Sequence, residues 1–329
     1  MSGLGQTEEA EFVRYLEAKK PTDDRALNGR VWEALSEALA ARSSLQPLRV
    51  LELGCGIGTM LERALERGLF GRVAQDGRAA SGGMHARVEY TGLDMSAGLL
   101  AAARRRLPAW AGRLGFTLAP AADHDELRRG DLRLQVQWIA ADAFDFAGDP
   151  ARAGVYDLLL AHAFLDLVDA RRAAQAFLPL LSESGLFFFS LVFDGATIFE
   201  PAFDPPLDTL IERAYHQTMD RRVVAGRPSG HSQTGRLLLG LLPEAGGRIL
   251  QAGSSDWIVF PREGAYLPEE AVLLDHILST IGRALADHPE LDRRDLQRWL
   301  DQRRGQLSRA ELTYIAHQLD FLGEYVPPG

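Results

Sequence analysis

The chain has 329 residues, 46% of them hydrophobic and 25% charged, with a formal net charge of −9. This is a globular composition that excludes wholesale disorder, and the acid excess speaks against a broad nucleic-acid surface, which needs clustered Lys and Arg. The single cysteine, Cys55, excludes an internal disulfide and argues against a cysteine-based metal site, and no apolar run is long enough to span a membrane.

Read in chain order, the polar, acidic start (Met1 to Glu11) has no signal-peptide core, so a soluble cytoplasmic protein is expected. Residues 9–19 predict an amphipathic helix with Phe12, Val13 and Leu16 on one side, ended by Pro21. Thr22-Asp23-Asp24 predicts the start of a second helix reaching Arg42. Leu48 to Leu53 predicts a strand, 57–67 a helix, and the Gly/Ser/Ala-rich segment 71–86 an insertion loop. Val88 to Asp94 predicts a second strand, followed by a helix capped by Ser96. Residues 108–132 read as an irregular, charged insertion. Strands are expected at 134–140, 156–161 and 186–193, with a helix over 169–181.

From 194 to 245 the rhythm breaks, with a helix near Leu207 to Arg221 and a Gly-rich polar loop at 226–235. A sixth strand over 248–260, two helices at 268–286 and 292–305, and a last strand at 311–321 complete the chain. Alternating strands and helices predict an α/β fold: a Rossmann-like, seven-stranded, mostly parallel sheet with helices on both faces and a helical/loop lid insertion. The expected parts are an N-terminal helical cap (1–44), a cofactor-binding core (45–193), a lid or acceptor insertion (194–247), and the end of the core with two inserted helices (248–329).

The most informative stretch is Glu52-Leu53-Gly54-Cys55-Gly56-Ile57-Gly58, a strand feeding a glycine loop that opens a helix. Glycine admits positive φ and lets a ligand approach the backbone, and a helix start favours negative groups. A dinucleotide loop would read Gly-x-Gly-x-x-Gly; here the third glycine is one place early, and Glu52 would repel a pyrophosphate but could pair with an ammonium group.

These residues resemble motif I of the class I S-adenosylmethionine-dependent methyltransferases, and further motifs follow in order: Tyr90 to Ser96, Ala140 to Ala143, and Tyr156 to His162. The resemblance implies an enzyme that binds S-adenosyl-L-methionine. It implies cofactor contacts at Glu52, Gly54, Cys55, Gly56 and Gly58. Asp94 would hold the ribose hydroxyls beside Met95, Asp142 and Ala143 would read the adenine edge, and Ala161 would lie near the methyl group. Glu52, Asp94 and Asp142 are also placed to cap adjacent helices, and Cys55 reads as a small packing residue.

The sulfonium is already activated, so the protein has mainly to align an acceptor and exclude water. His162, at the carboxyl end of the fourth strand, is the candidate base, and Asp166 could orient the acceptor or cap a helix. Tyr215, His231, Arg236 and Trp257 are candidate substrate contacts, and Tyr15 and Arg25 could close over the cofactor. A long acceptor-side insertion suits an enclosed small molecule, with neither nucleic acid nor membrane as partner. A non-catalytic cofactor-binding protein and a nicotinamide-dependent oxidoreductase are the alternative readings.

Overall fold

The computed structural model describes residues 6–42, 46–71, 86–120 and 123–327. It begins with α1 (Gln6–Ala26), which runs straight through Pro21 instead of ending there. The proline removes only one backbone bond, and two pairs four residues apart, Lys19–Asp23 at 2.6 Å and Lys20–Asp24 at 2.9 Å, bridge it from either side. The second helix, α2 (Gly29–Ala41), therefore starts at Asn28, whose side chain accepts from the amides of Arg30 and Val31, and not at Thr22.

β1 (Leu48–Leu53), α3 (Thr59–Glu66), β2 (Arg87–Asp94) and α4 (Ala97–Arg113, capped by Ser96) follow as the pattern predicts. The expected 71–86 insertion lies outside the described residues except at its ends. The described residues of the 108–132 segment form more regular structure than their charge suggests. α4 continues to Arg113, and β3 (Thr117–Pro120) and β4 (Asp125–Arg129) add two antiparallel strands beside β5 (Leu132–Ala140). Leu127, Leu132 and Leu134 are fully buried while their arginine neighbours face water; this period-two alternation is hidden in sequence by the arginines.

The chain continues through α5 (Ala143–Ala147), β6 (Tyr156–His162), α6 (Ala170–Phe177) and β7 (Leu181–Glu200). Next come α7 (Pro205–Asp220), a small hairpin of β8 (Val223–Val224) and β9 (Arg227–Pro228), and α8 (Thr234–Glu244). The expected sixth strand is two, β10 (Gly247–Ser254) and β11 (Trp257–Val259); then follow α9 (Pro268–Leu285), α10 (Arg293–Ser308) and β12 (Thr313–Tyr325).

The sheet order is β10-β12-β7-β6-β1-β2-β5-β4-β3, with β11 also on β12. The run from β10 to β5 is the expected seven-stranded Rossmann-like core; β3, β4 and β11 raise the sheet to ten strands. β5, β2, β1, β6 and β7 are parallel, and β12 is antiparallel to both its neighbours. One face packs on α2, α3 and α4 through Leu35, Met60 and Leu107, and the other on α5, α6 and α8 through Phe146, Phe177 and Leu238. α8 thus belongs to the core layer, although it falls inside the segment read as a lid. A third cluster joins α7, α9 and α10 to β11 and the far ends of β7 and β12, beyond the carboxyl ends of the central strands.

Candidate functional site

The crossover from β1 to α3 turns on Gly54, Gly56 and Gly58, with φ of +65°, +53° and +77°. Side chains close over this loop. A Cβ on Gly54 would run into the ring of Phe164, and one on Gly56 would lie 3.4 Å from Leu16 of α1. Gly58 and Gly92 make room for Trp138 of β5.

Asp94, at the end of β2, reaches back to this loop. One carboxylate oxygen accepts from the Gly56 amide at 2.9 Å and the other from the Ser96 amide at 2.8 Å. Burial raises its pKa, against the pull of these two amides. On the next strand Ala141 donates to the Asp94 carbonyl at 3.1 Å, which brings the ends of β2 and β5 together. Asp142 follows as the cap of α5, accepting from the amides of Phe144 and Asp145; Ala143 opens that helix. Met95 is half exposed, and Ala161 is buried in the sheet.

Glu52 is almost fully buried and accepts from the Tyr90 hydroxyl. Burial pushes its carboxyl up to about 8, with Tyr90 and Arg63 pulling the other way, so it is largely protonated at neutral pH. Cys55 is buried beside Gly92, and burial, then Glu52 and Asp94, holds its thiol well above the ordinary range. The thiol is therefore a packing group, not a nucleophile.

His162, at the end of β6, is enclosed. Nδ1 lies 2.8 Å from Oγ of Ser190 on the neighbouring strand, and Nε2 lies 3.1 Å from Asp23 of α1 and 3.3 Å from Arg63 of α3. Ionised Asp23 can only accept, so Nε2 carries the proton and Nδ1 accepts from the Ser190 hydroxyl. Burial and then Arg63 pull the imidazole down to about 4, against Asp23. Both ring nitrogens are engaged, and neither offers a lone pair to an acceptor.

Asp23 organises this network. It pairs with Lys19 at 2.6 Å and accepts from the Trp257 indole at 3.0 Å. Burial opposes its charge, but Lys19, His162 and Arg63 outweigh that and hold it well below the usual carboxylate range. Beside it, Asp24 pairs with Lys20 and Arg63. The carboxyl-terminal half of α1 is thereby pinned to the sheet, while Phe12, Val13 and Leu16 in its first half pack on Ile57, Leu99 and Ala102. Trp257 lies in this network, away from an open face. Arg25 pairs with Glu270 of α9 at 2.6 Å.

Asp166 sits in the tight turn Leu165–Leu167 after β6. Its Oδ1 is shut off from solvent without a hydrogen-bond partner, and burial raises its carboxyl to about 6. Tyr215 of α7 lies within electrostatic reach of Asp166; burial raises its hydroxyl to about 12. Arg222, after α7, holds this turn by donating to the Asp166 carbonyl at 3.2 Å, and Ser229 donates to the Leu167 carbonyl at 2.8 Å.

The remaining two candidates are engaged elsewhere. Arg236 of α8 binds Asp194 through its amide at 2.7 Å and its Nε at 2.9 Å. His231 accepts from the Gln233 amide at 3.0 Å and lies 3.6 Å from Asp220. Lys19, Asp23, Asp24, Arg63 and Phe164 carry no motif; the only sequence signal was the acid pair after Pro21, which reads equally well as a cap.

Among the described residues no group of three or more His, Cys, Asp or Glu could hold a metal ion, and no helix is long and apolar enough to cross a membrane. No family model matches the chain. No curated protein matches it either. Among solved structures it is similar to the cyclase SpnF at 17% identity, covering 90% of this chain and 81% of that one, with a TM-score of 0.41. It is similar to the geranyl diphosphate C-methyltransferase of Streptomyces coelicolor A3(2) at 11% identity over 89% and 77% of the chains, TM-score 0.40. A candidate methyltransferase of Bacillus halodurans C-125 gives 10% identity over 90% and 100%, TM-score 0.46. At these identities and scores the likenesses say nothing of what this chain binds or does.

Proposed function

We propose that the chain is an S-adenosylmethionine-dependent methyltransferase that holds its cofactor across the carboxyl ends of β1, β2 and β5 and acts on a small-molecule acceptor. One observation carries this reading: Asp94 is bonded to the Gly56 amide at 2.9 Å, so the strand-end acid and the glycine loop form one unit. In open α/β sheets ligands bind at such strand ends.

The donor set fits the cofactor. Gly54, Gly56 and Gly58 take a left-handed backbone that leaves the loop bare for a ligand. Asp94 would take the ribose hydroxyls, Asp142 and Ala143 the adenine edge, and Glu52 the amino-acid end. Leu16 and Phe164, which cover the loop, would pack against the bound molecule or give way to it. When bound, the cofactor supplies a methyl group on a positively charged sulfur. The chain's own contribution is alignment and exclusion of water, which α1 favours by lying over the loop. In this reading His162 is a positioning residue that ties β6 to α1, and Asp166 with Tyr215 faces the acceptor.

Isothermal titration with S-adenosylhomocysteine tests the cofactor half. Wild type should bind, and Gly56→Val should not, because the new side chain fills the loop. Release of S-adenosylhomocysteine over a metabolite panel tests the transfer half. Binding without release over that panel would make the chain a non-catalytic cofactor-binding protein, and preference for NAD would make it an oxidoreductase.

A further inference from the structure

Tyr15 of α1, Tyr215 of α7 and Tyr314 of β12 pack in one cluster, and Tyr15 and Tyr215 lie within electrostatic reach of Asp166 in the turn after β6. Burial raises all four, so none carries its charge cheaply. Oδ1 of Asp166 is a buried acceptor without a donor. Among the described residues, none donates to or accepts from the three tyrosine hydroxyls. The position of Tyr15 is set by stacking on His276 of α9, with ring centroids 3.9 Å apart at 18°.

The cations facing Asp166 are occupied. Lys19 is paired with Asp23 at 2.6 Å, and Arg222 donates to the carbonyls of Ser229 at 2.7 Å and Asp166 at 3.2 Å. Oδ1 of Asp166 thus has no donor within hydrogen-bond distance, although Tyr15 and Tyr215 lie within electrostatic reach of it, and each phenol can accept as well as donate. A buried acceptor without a donor costs about 1–3 kcal/mol, a deficit that a ligand rich in N–H groups removes. Tyrosine faces also favour a cation, whereas a carboxylate or phosphate would meet the charge of Asp166.

We propose that this cluster binds a small molecule through a primary or secondary amine, with Asp166 as its counter-ion and proton acceptor. The inference rests on the methyl-transfer reading only in making that amine the acceptor. The bound ammonium gives one proton to the Asp166 carboxylate: an N–H bond breaks, an O–H bond forms, and the electron pair stays on nitrogen.

The test uses the full chain with benzylamine as probe and benzyl alcohol and benzoate as size-matched controls, followed by saturation-transfer NMR. Benzylamine should bind in preference to both. Its affinity should fall about tenfold or more in Asp166→Asn, as expected for loss of a charge-assisted hydrogen bond, and recover in part in Asp166→Glu. In wild type the affinity should fall between pH 7 and 5 as Asp166 protonates, and this slope should vanish in Asp166→Asn. That control separates Asp166 from His162 and His276, both of which burial pulls below the ordinary histidine range. Tyr215→Phe, which keeps the ring, should also weaken binding if Asp166→Asn fails to fold.

Equal binding of the alcohol or benzoate, indifference to these variants and to pH, or binding of none of the three probes overturns the inference. S-adenosylhomocysteine titrated into the same samples reads the other half. An amine site without cofactor binding would sink the methyl-transfer reading alone, and cofactor binding without an amine site would sink this inference alone.

Discussion

Asp23 in α1 and His162 at the end of β6 lie 3.1 Å apart across 139 residues of sequence. Through this contact the N-terminal helix is tied to the end of β6. The bond is one link of a buried chain that runs from Lys19 through Asp23 to His162 and Ser190. Asp23→Ala would leave Lys19, His162 and the Trp257 indole without their shared acceptor. Urea unfolding should register a loss of about 3–5 kcal/mol, the range for breaking a buried ion pair. A loss under 1 kcal/mol would mean that α1 is held by its apolar face instead.

Burial of His162, and then Arg63 beside it, make the fold acid-sensitive. The folded pKa of His162, about 4, lies below its ordinary 6.5, so the unfolded chain binds more protons between those values. Its contribution is present above pH 6.5 and is lost as pH falls toward 4; Asp23, also depressed, adds its share lower still. Chemical denaturation from pH 7 to 4 should show falling stability. His162→Gln should flatten the upper part of that fall, and an unchanged slope would assign it to other groups.

Glu52 works in the opposite direction. Its folded pKa of about 8 lies above the ordinary 4.5, so the native state holds the extra proton in that window. Stability should therefore decline as pH rises from 4.5 toward 8. Glu52→Gln, which keeps shape and stays neutral, should remove that decline. Thermal melts of both proteins at pH 6 and 8 would show it; parallel curves would mean that Glu52 ionises freely in the fold.

Gly54 tests the cradle. Gly54→Ala places a side chain at φ +65° and against the Phe164 ring. The left-handed backbone alone costs about 1–2 kcal/mol, and the collision adds to it. In a Phe164→Ala background only the backbone part should remain, so the two changes should be non-additive in denaturant titrations. Strict additivity would place Phe164 elsewhere in solution.

Asp142 has two readings that one variant separates. Asp142→Ala should cost about 1 kcal/mol for loss of the α5 cap. If Asp142 also reads the adenine edge, S-adenosylhomocysteine affinity should fall as well, and it should do so in Asp142→Ser, which keeps the cap. A loss of stability with unchanged affinity leaves capping as its only role.

The strands, the glycine turn and the acids at their ends were legible because each is a local property: a run of Leu, Val and Ile between turn residues sets β1, β2, β5 and β6 in place, and Gly54, Gly56 and Gly58 are the residues such a tight crossover requires. Sequence also showed that 45–193 alternates as an open sheet must. It did not show that α1 passes through Pro21, that Thr117–Pro120 and Asp125–Arg129 extend the sheet, or that α8 belongs to the core. Each of these depends on partners far along the chain. His162 looked like a free base at a strand end because sequence does not show what covers a residue; Asp23 and Ser190 occupy it only once α1 and β7 are folded beside it. Asp166 and Tyr15 took on interest for the same reason. Hydrogen-bonding satisfaction is a sum over neighbours brought together from four elements, and a one-dimensional pattern carries no term for it.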